Sequence, residues 1–431
     1  MTDTPPVSAC ASDTIVALSS GRPPAAIGVI RVNGPMALAA VERLAGALPP
    51  ARRAALRVLR APDGTMLDRA LVLVFPGPAS ATGEDLVELH CHGGRAVVAA
   101  VETALVEGGI RAALPGEFTR RALVNGRIDL AEAEGLADLL AAETEAQRRA
   151  AIASAEGQVG RAVRGWLATL TSLAARVEAA IDYDDEDETR GAGEVREEVA
   201  ALARELGAVL AVPPVERLRD GVRVVIAGPP NSGKSTLINA LAAREVAIVS
   251  PIAGTTRDRI DAAVQRDGLP FLLSDTAGLA ETSDIIEAIG VERARQAVAT
   301  AEVLLWLGDD APPVDGALWV HARSDMPGRE TAPVATLAVS ALTGTGVHAL
   351  WDEVARRARA LLPGEDQLAI NARQRGLVGE AYRALDGADS EDPLLVAEQL
   401  RVAHRSLAAI VGVNATEAML DALFSRFCLG K

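Results

Sequence analysis

One stretch of this chain leaves few folds open. Gly228-Pro-Pro-Asn-Ser-Gly-Lys-Ser235 fits the pattern G-x-x-x-x-G-K-[ST]. A short β-branched run over residues 222–227 precedes it, and the spacing predicts a helix over 236–243 behind it. In that order, strand, glycine loop and helix form a phosphate cradle. Glycine lets the backbone wrap an anion, and the loop N–H groups add to the positive end of the helix dipole. Lys234 is placed to reach the β- and γ-phosphates and the Ser235 hydroxyl to ligate magnesium, with Asn231, Ser232, Gly233 and Thr236 completing the loop. A nucleoside triphosphate is expected here, in an α/β domain.

The surrounding pattern agrees. Strand-like runs at 271–274, 303–307, 318–320 and 334–339 alternate with helical segments, which predicts a mostly parallel sheet with helices on both faces from about Gly221 onward. Upstream, residues 1 to about 126 read as a small α+β domain. Its strands are predicted at 14–18, 26–32, 70–75 and 85–90, and its helices at 36–45 and 95–107. Between about Arg127 and Arg219 alanine, leucine and charge dominate. Leu130, Ala133, Leu136 and Leu140 keep helical spacing, as do Val163, Leu167, Leu170, Leu173 and Val177. Beyond about Leu362 the chain reads as helical again to Lys431, so the two helical stretches are expected to pack together around an inserted nucleotide domain. The division expected is 1–126, 127–219, 220–362 and 363–431.

Four signals select guanine nucleotide. Thr255-Thr-Arg-Asp258 follows the cradle helix at the distance of a first switch, and either threonine can offer magnesium a hydroxyl. Asp275-Thr276-Ala277-Gly278 follows a strand, as a second metal-orienting motif should, and Gly278 can bond the γ-phosphate through its backbone. Ser340-Ala341-Leu342 ends the last strand, where an N–H would meet the guanine oxygen. The fourth is Asp325, which can accept two bonds from the guanine edge. Its context departs from the usual Asn-Lys-x-Asp, since this chain has Ala322-Arg323-Ser324-Asp325. Alanine forfeits the loop-tying bonds of asparagine, about 1–2 kcal/mol; Arg323 keeps a long stem that can lie over the base. Guanine preference with weaker affinity is expected. Leu279 stands where Ras-like enzymes carry a water-orienting glutamine, so either hydrolysis is slow or another group activates the water. Glu281, Asp284 and Glu287 lie downstream, and spacing leaves the choice among them open.

Charge bounds the partners. With 43 basic and 58 acidic residues the net charge is −15, unsuited to non-specific nucleic-acid binding, so any RNA role calls for a local basic patch or a partner protein. Three widely spaced cysteines, Cys10, Cys91 and Cys428, point to a reducing compartment without a disulfide framework. Neither a signal-like N-terminus nor a membrane-length apolar run stands in the sequence, and a cytoplasmic location is expected. His90-Cys91-His92 invites a metal reading. On a strand, however, the cysteine points away from both histidines, and no further ligand pair sits at metal spacing. The acidic run from Asp182 to Glu188 reads as a solvated loop, because it lacks the glycine and spacing of an EF-hand.

Taken together, Asp13-Thr-Ile, Gly28-Val-Ile-Arg-Val-Asn-Gly34, Thr82-Gly-Glu-Asp-Leu-Val-Glu-Leu89, Pro115-Gly-Glu-Phe-Thr-Arg-Arg121, Asn125-Gly-Arg-Ile-Asp-Leu130, the nucleotide motifs and the terminal Phe427-Cys-Leu-Gly-Lys431 resemble one family, the MnmE (TrmE) tRNA-modification GTPases. The resemblance runs nearly end to end. It implies an N-terminal domain that dimerises and binds 5-formyl-tetrahydrofolate or a related folate, with Arg31, Glu88, Arg127 and Lys431 at the folate-contacting positions. Arg127 stands where some members carry lysine. The resemblance also implies a potassium ion held by Asn231 with Ser250, Ile252 and Thr255, in the nucleotide-binding loop Ser250-Pro251-Ile252-Ala253-Gly254-Thr255-Thr256. Magnesium would be held by Ser235 and Thr256, and Glu287 would orient the attacking water beside the catalytic Lys234. Such an ion, placed where an arginine finger would reach, would neutralise charge developing between the phosphates, and hydrolysis would depend on two GTPase domains meeting. The family works as a homodimer with the FAD protein MnmG, a heterotetramer being expected. Together they add a carboxymethylaminomethyl or aminomethyl group to carbon 5 of the wobble uridine of certain tRNAs, which are held largely by the partner. Cys428 matches the cysteine near the family's terminus, and a pocket-lining or buried thiol is the simpler role for it. A competing reading is an RNA- or ribosome-associated GTPase switch without modification activity. It gives no role to residues 82–89 or to the terminus, and folate binding separates the two.

Overall fold

The computed structural model describes residues 13–182, 188–243, 246–247, 261–275, 299–329, 336–364, 366–388, 390, 392–425, 427–428 and 430. The chain divides into two compact units, residues 1–137 with 411–431, and residues 138–410.

The first unit is built on a sheet of six strands: β1 (Ile15–Leu18), β2 (Ile27–Asn33), β3 (Ala55–Arg60), β4 (Met66–Phe75), β5 (Leu86–His92) and β6 (Arg111–Ala112). Their order is β3-β4-β5-β2-β1-β6, antiparallel except for β1 with β6. Alternation sorts the side chains onto two faces. On one, Val16, Ile30, Val32, Val72, Val87 and Leu89 pack under helices α1 (Ala37–Ala45) and α2 (Arg95–Glu107). On the other, Ile15, Ala17 and Leu86 meet Phe118 of α3 (Glu117–Val124). Farther along that second face Leu56 and Ile27 lie 62% and 57% exposed. The predicted strands and both predicted helices are present. Added to them are β3, an edge strand whose arginines blur the alternation, the two-residue β6, and α3, whose Glu117 and Arg121 are charged yet buried.

That burial is possible because every charge has a partner. The Arg121 guanidinium donates to the Asp13 carbonyl and carboxylate, to Glu84 Oε2 at 3.0 Å and to Glu117 Oε1 at 3.1 Å. Arg111 donates to both oxygens of Glu117 and to Asp13. The network ties α3 to the start of β1 and to β6. The C-terminal helix Glu417–Phe424 packs against α3 within this unit, and Gly116 meets it so closely that a Cβ would lie 2.6 Å from the Phe424 carbonyl oxygen.

In the second unit, α5 (Glu145–Ala155), which follows α4 (Leu130–Ala141), opens with a capping box between Thr144 and Gln147. Long helices α6 (Gln158–Asp182) and α7 (Glu188–Ala211) then run before the short α8 (Glu216–Asp220). Val163, Leu170, Leu173 and Val177 are buried on α6 as the sequence predicts, but Trp166 rather than Leu167 fills the remaining place in the stripe, and Leu167 is only half-buried beside it. The late helices Ala372–Asp386 and Pro393–Ile410 pack on α7 and α6, so the two helical stretches do join.

Within this unit the nucleotide-type sheet comprises β7 (Val222–Ala227), β8 (Val246–Ala247), β9 (Asp261–Arg266), β10 (Leu269–Asp275), β11 (Val303–Trp306), β12 (Leu318–Ala322) and β13 (Leu337–Val339). Their order is β13-β12-β11-β7-β10-β9-β8. The run from β13 to β10 is parallel, whereas β9 pairs antiparallel with both β10 and β8. Asp267 and Gly268, both at positive φ, make the two-residue turn between β9 and β10. Trp351, on the helix Val347–Leu361, is fully buried with its ring edge-on to Phe271 at 5.1 Å. Among the described residues no helix is long and apolar enough to cross a membrane.

Candidate functional site

The central strand β7 has one parallel neighbour on each side, β10 and β11, so the crevice at its C-terminal end is a topological switch point, where open α/β sheets bind ligands. The glycine loop emerges at this point. Gly228 has φ 153° and Gly233 φ 98°, and Asn231 is held at φ 59°. A Cβ on Gly228 would come 3.2 Å from Leu307. Helix α9 (Lys234–Ala242) starts directly at the lysine, two residues earlier than the sequence predicts, because Gly233 supplies the entry turn.

Lys234 folds back over the loop, its Nζ donating to the carbonyls of Gly228 at 3.0 Å and Pro229 at 2.8 Å. Burial pushes its ammonium below the usual lysine range, against the opposing pull of the Asp275 carboxylate. Ser235 Oγ donates to Asp275 Oδ2 at 2.6 Å. A hydroxyl and a carboxylate thus converge from the helix start and the end of β10, the donor pair that fits magnesium beside a triphosphate. Ser232 Oγ is buried without a hydrogen-bond partner among the described residues, and an incoming phosphate oxygen would satisfy it.

The guanine loop follows β12. Arg323, at φ 60°, lays its stem along Gly233 and donates from Nη1 to the Asn231 carbonyl at 2.8 Å. Its other guanidinium nitrogens meet Met326 Sδ. Ser324 N–H bonds the Val339 carbonyl at 3.2 Å, which ties the loop to the end of β13. Asp325 is exposed on the loop between these ties. At the end of β13, Ser340 is fully buried and its N–H is spent on the Thr345 carbonyl, while Leu342 is exposed. Two side chains that the sequence did not single out belong to this corner. Arg329 donates to the Ala322 carbonyl and to Asp309, and the hydrogen bond from Arg329 holds the Asp309 carboxyl below its usual range. No motif marks them, since both lie in irregular loops.

Ser250, Pro251, Ile252, Ala253, Gly254, Thr255, Thr256, Thr276, Ala277, Gly278 and Glu287 lie outside the described residues, as do Leu279, Glu281, Asp284, residues 183–187, Cys10 and Lys431.

A second cluster stands in the first unit. Arg31 of β2 and Glu88 of β5 are directly paired in register, and Arg31 Nε donates to Glu88 Oε1 at 2.9 Å. His90, on the same face, reaches Glu88 Oε2 at 3.2 Å. Burial alone would raise the Glu88 carboxyl, but the bonds from His90 and Arg31 outweigh it and hold it below the usual range. Cys91 lies on the opposite, covered face, where burial, with the Asp68 charge, pushes its thiol up to about 12. A thiol that stays protonated makes a poor metal ligand, and His92 Nδ1 is engaged by Asp68 Oδ1 at 2.7 Å. Arg127 is exposed and its stem lies against Gly83. The C-terminal segment reaches the same unit's β1: Ser19 Oγ donates to the Gly430 carbonyl at 2.8 Å, and Cys428 is exposed.

A glycine cradle at the switch point of a mostly parallel sheet, a Ser–Asp pair for magnesium and an aspartate loop tied to the cradle define a P-loop GTPase. Family models agree and extend over the rest of the chain. The model described as "GTP-binding protein TrmE N-terminus" matches residues 14–127, and that described as "MnmE helical domain" matches residues 130–428. The chain belongs to the MnmE (TrmE) family. It is 55% identical over 423 residues to a protein of Erythrobacter litoralis named "tRNA modification GTPase MnmE", covering 97% of this chain and 100% of that one. Relatives of the same name in Rhizorhabdus wittichii and Novosphingobium aromaticivorans are 55% and 52% identical, over 98% and 97% of this chain and 98% and 100% of theirs.

Proposed function

We propose that this protein is a GTP hydrolase whose cycle serves tRNA modification: with MnmG and its FAD, it adds a carboxymethylaminomethyl or aminomethyl group to carbon 5 of the wobble uridine. The relatives' shared name supports the tRNA reading, and the Ser235–Asp275 pair beside Lys234 carries the hydrolase reading. Lys234, its ammonium already desolvated, exchanges two loop carbonyls for phosphate oxygens when nucleotide enters, and their negative charge favours its protonated form. Ser235 and Thr256 would hold magnesium, with Asp275 orienting it. Asp325 would read the guanine edge, and an N–H of Ala341 or Leu342 would meet the guanine oxygen.

Potassium would be held by Asn231, Ser250, Ile252 and Thr255, where it supplies positive charge between the β- and γ-phosphates. The Asn231 backbone is pinned for such a role, its carbonyl bonded by Arg323. Glu287 would orient the water that Leu279 cannot. Residues 1–126 would form the dimerising, folate-binding domain, 127–219 and 363–431 the helical domain, and 220–362 the GTPase domain. A tetrahydrofolate presents adjacent N–H donors on its pterin ring, and the ionised Glu88 carboxylate suits them; Arg31, Arg127 and Lys431 would meet its acceptors and carboxylates.

Steady-state GTP turnover in potassium chloride against sodium chloride at equal ionic strength tests this reading. Potassium should accelerate turnover at least tenfold, and Asn231→Ala should abolish the difference while leaving Lys234-dependent nucleotide binding in place. Equal rates in the two salts would remove Asn231 from ion binding.

A further inference from the structure

We propose that Arg329 is a positioning residue for guanine recognition, doing from outside the loop what an asparagine at Ala322 would do from within. The proposal rests on the reading of Asp325 as the guanine acceptor. Ala322 is the last residue of β12 and is buried, and its methyl group cannot hydrogen-bond. The chain then leaves the sheet, carries Asp325 through successive turns closed by Met326 N–H to the Arg323 carbonyl and Arg329 N–H to the Met326 carbonyl, and returns. Arg329 closes this excursion at its base. Its Nε donates to the Ala322 carbonyl at 3.1 Å, and its own carbonyl accepts from His321 Nε2 at 2.9 Å. The entry and exit of the loop are therefore cross-bonded twice, side chain to backbone in both directions.

A second nitrogen of the guanidinium, Nη2, reaches Asp309 Oδ1 at 2.7 Å, in the segment after β11. Asp309 is largely exposed, so this ion pair alone contributes little stability. Its use is geometric: it fixes the plane of the fork so that Nε points at the Ala322 carbonyl. Arg323 has a different task, since it ties the loop to the glycine cradle through the Asn231 carbonyl. One arginine sets the loop's distance from the cradle, and the other sets its shape.

Shape is what guanine reading needs. A carboxylate that meets both the ring N–H and the exocyclic amine must be held in one plane; a tilted one keeps a single bond. Inosine triphosphate lacks the amine, so the ratio of GTP to ITP affinity measures the second bond, and ATP measures both. Equilibrium binding of GTP, ITP and ATP to the full chain, with magnesium and potassium, should be compared for wild type, Arg329→Ala, Arg329→Lys, and Arg329→Ala combined with Ala322→Asn. Arg329→Ala should cut the GTP-over-ITP ratio about tenfold, the size of one hydrogen bond to a charged group, with ATP affinity little changed. Lysine keeps the charge opposite Asp309 without the second arm, so Arg329→Lys should fold as the wild type does and lose the ratio equally. Adding asparagine at 322 should restore it.

An unchanged ratio in both Arg329 variants, or an equal loss of affinity for GTP, ITP and ATP that Ala322→Asn does not repair, would overturn the proposal. If wild type shows no preference for GTP over ITP and ATP, or Asp325→Ala keeps that preference, the guanine reading itself fails and this inference with it.

Discussion

Glu117 begins a helix and is only 3% exposed, a place where carboxylates are tolerated only with full compensation. Burial would raise its pKa, but the bonds from Arg111, the Leu114 N–H and Arg121 more than reverse that, and the carboxyl lies below the usual range. Asp13, subject to the same opposition of burial against Arg111 and Arg121, is lowered as well. These groups bind protons less readily folded than unfolded, so their stabilisation is fully present above the ordinary carboxylate pKa and is lost as pH falls through their depressed folded values. Glu117→Gln should lower stability at pH 7 by about 2–4 kcal/mol, since it leaves the buried Arg121 guanidinium, and the partly exposed one of Arg111, short of charge. It should also flatten the acid limb below about pH 4.5, where wild type loses what the variant no longer has. Urea denaturation at pH 7 and pH 4 measures both; a variant as stable as wild type at pH 7 would show that the network is neutral in sum. None of this could be read from the sequence, in which Glu117 and Arg121 sit in an ordinary polar helix pattern. Lys234 and Ser235 could be read there because their roles follow from a fixed local spacing. Arg329 and Asp309 could not, because their pairing depends on two loops meeting.

Elements were legible wherever one local pattern decided them. The glycine loop announced β7 and α9, and the apolar stripe of α6 announced a packed helix. The strands β8 and β9 were not anticipated, although Asp267-Gly268 is a strong hairpin signal, because alanine and charge in β9 hide its alternation. The tail was recognised only as a motif, while its packing explains the residues. Gly430 has φ 87°, and a Cβ there would lie 2.3 Å from the Leu18 carbonyl oxygen, at the strand whose neighbour carries Arg31. Backbone cannot yield by that much, so Gly430→Ala must shift the tail off β1. On the proposed reading of Lys431 as a folate contact, this substitution should weaken tetrahydrofolate binding at least tenfold while leaving GTP turnover in potassium chloride within about twofold. Calorimetric titration with 5-formyl-tetrahydrofolate, set beside turnover, separates the two. Unchanged folate affinity would mean that the tail takes no part in that site.

At the scale of the whole molecule, α1 and α2 cover one face of the first unit's sheet, while the other, beyond the part that α3 covers, keeps Leu56 62% exposed and Leu71 37% exposed, directly paired in register, with Ile27 also open. Hydrophobic side chains gathered on a sheet around the Arg31–Glu88–His90 cluster are what a partner surface requires. A second copy of this chain fits, since a two-fold contact is self-complementary and the family resemblance implies a homodimer formed by this domain. Replacing Leu56 and Leu71 together by aspartate places four like charges across such a contact. Both side chains are exposed in the single chain, but the paired aspartates repel across the two strands, so the fold should lose about 1–2 kcal/mol, a cost that urea denaturation measures and that leaves it folded. Sedimentation velocity should then show a dimer for wild type and a monomer for the double variant at micromolar concentration. The consequence for turnover is one of effective concentration. Tethering two chains keeps their GTPase domains at a high local concentration, and an untethered pair must meet by diffusion. Potassium-stimulated turnover per chain should therefore be independent of protein concentration for wild type. For the variant it should be low at micromolar protein and rise with concentration. A variant that remains dimeric would move the interface to another face; a monomeric variant with full, concentration-independent turnover would mean that hydrolysis does not need two GTPase domains to meet.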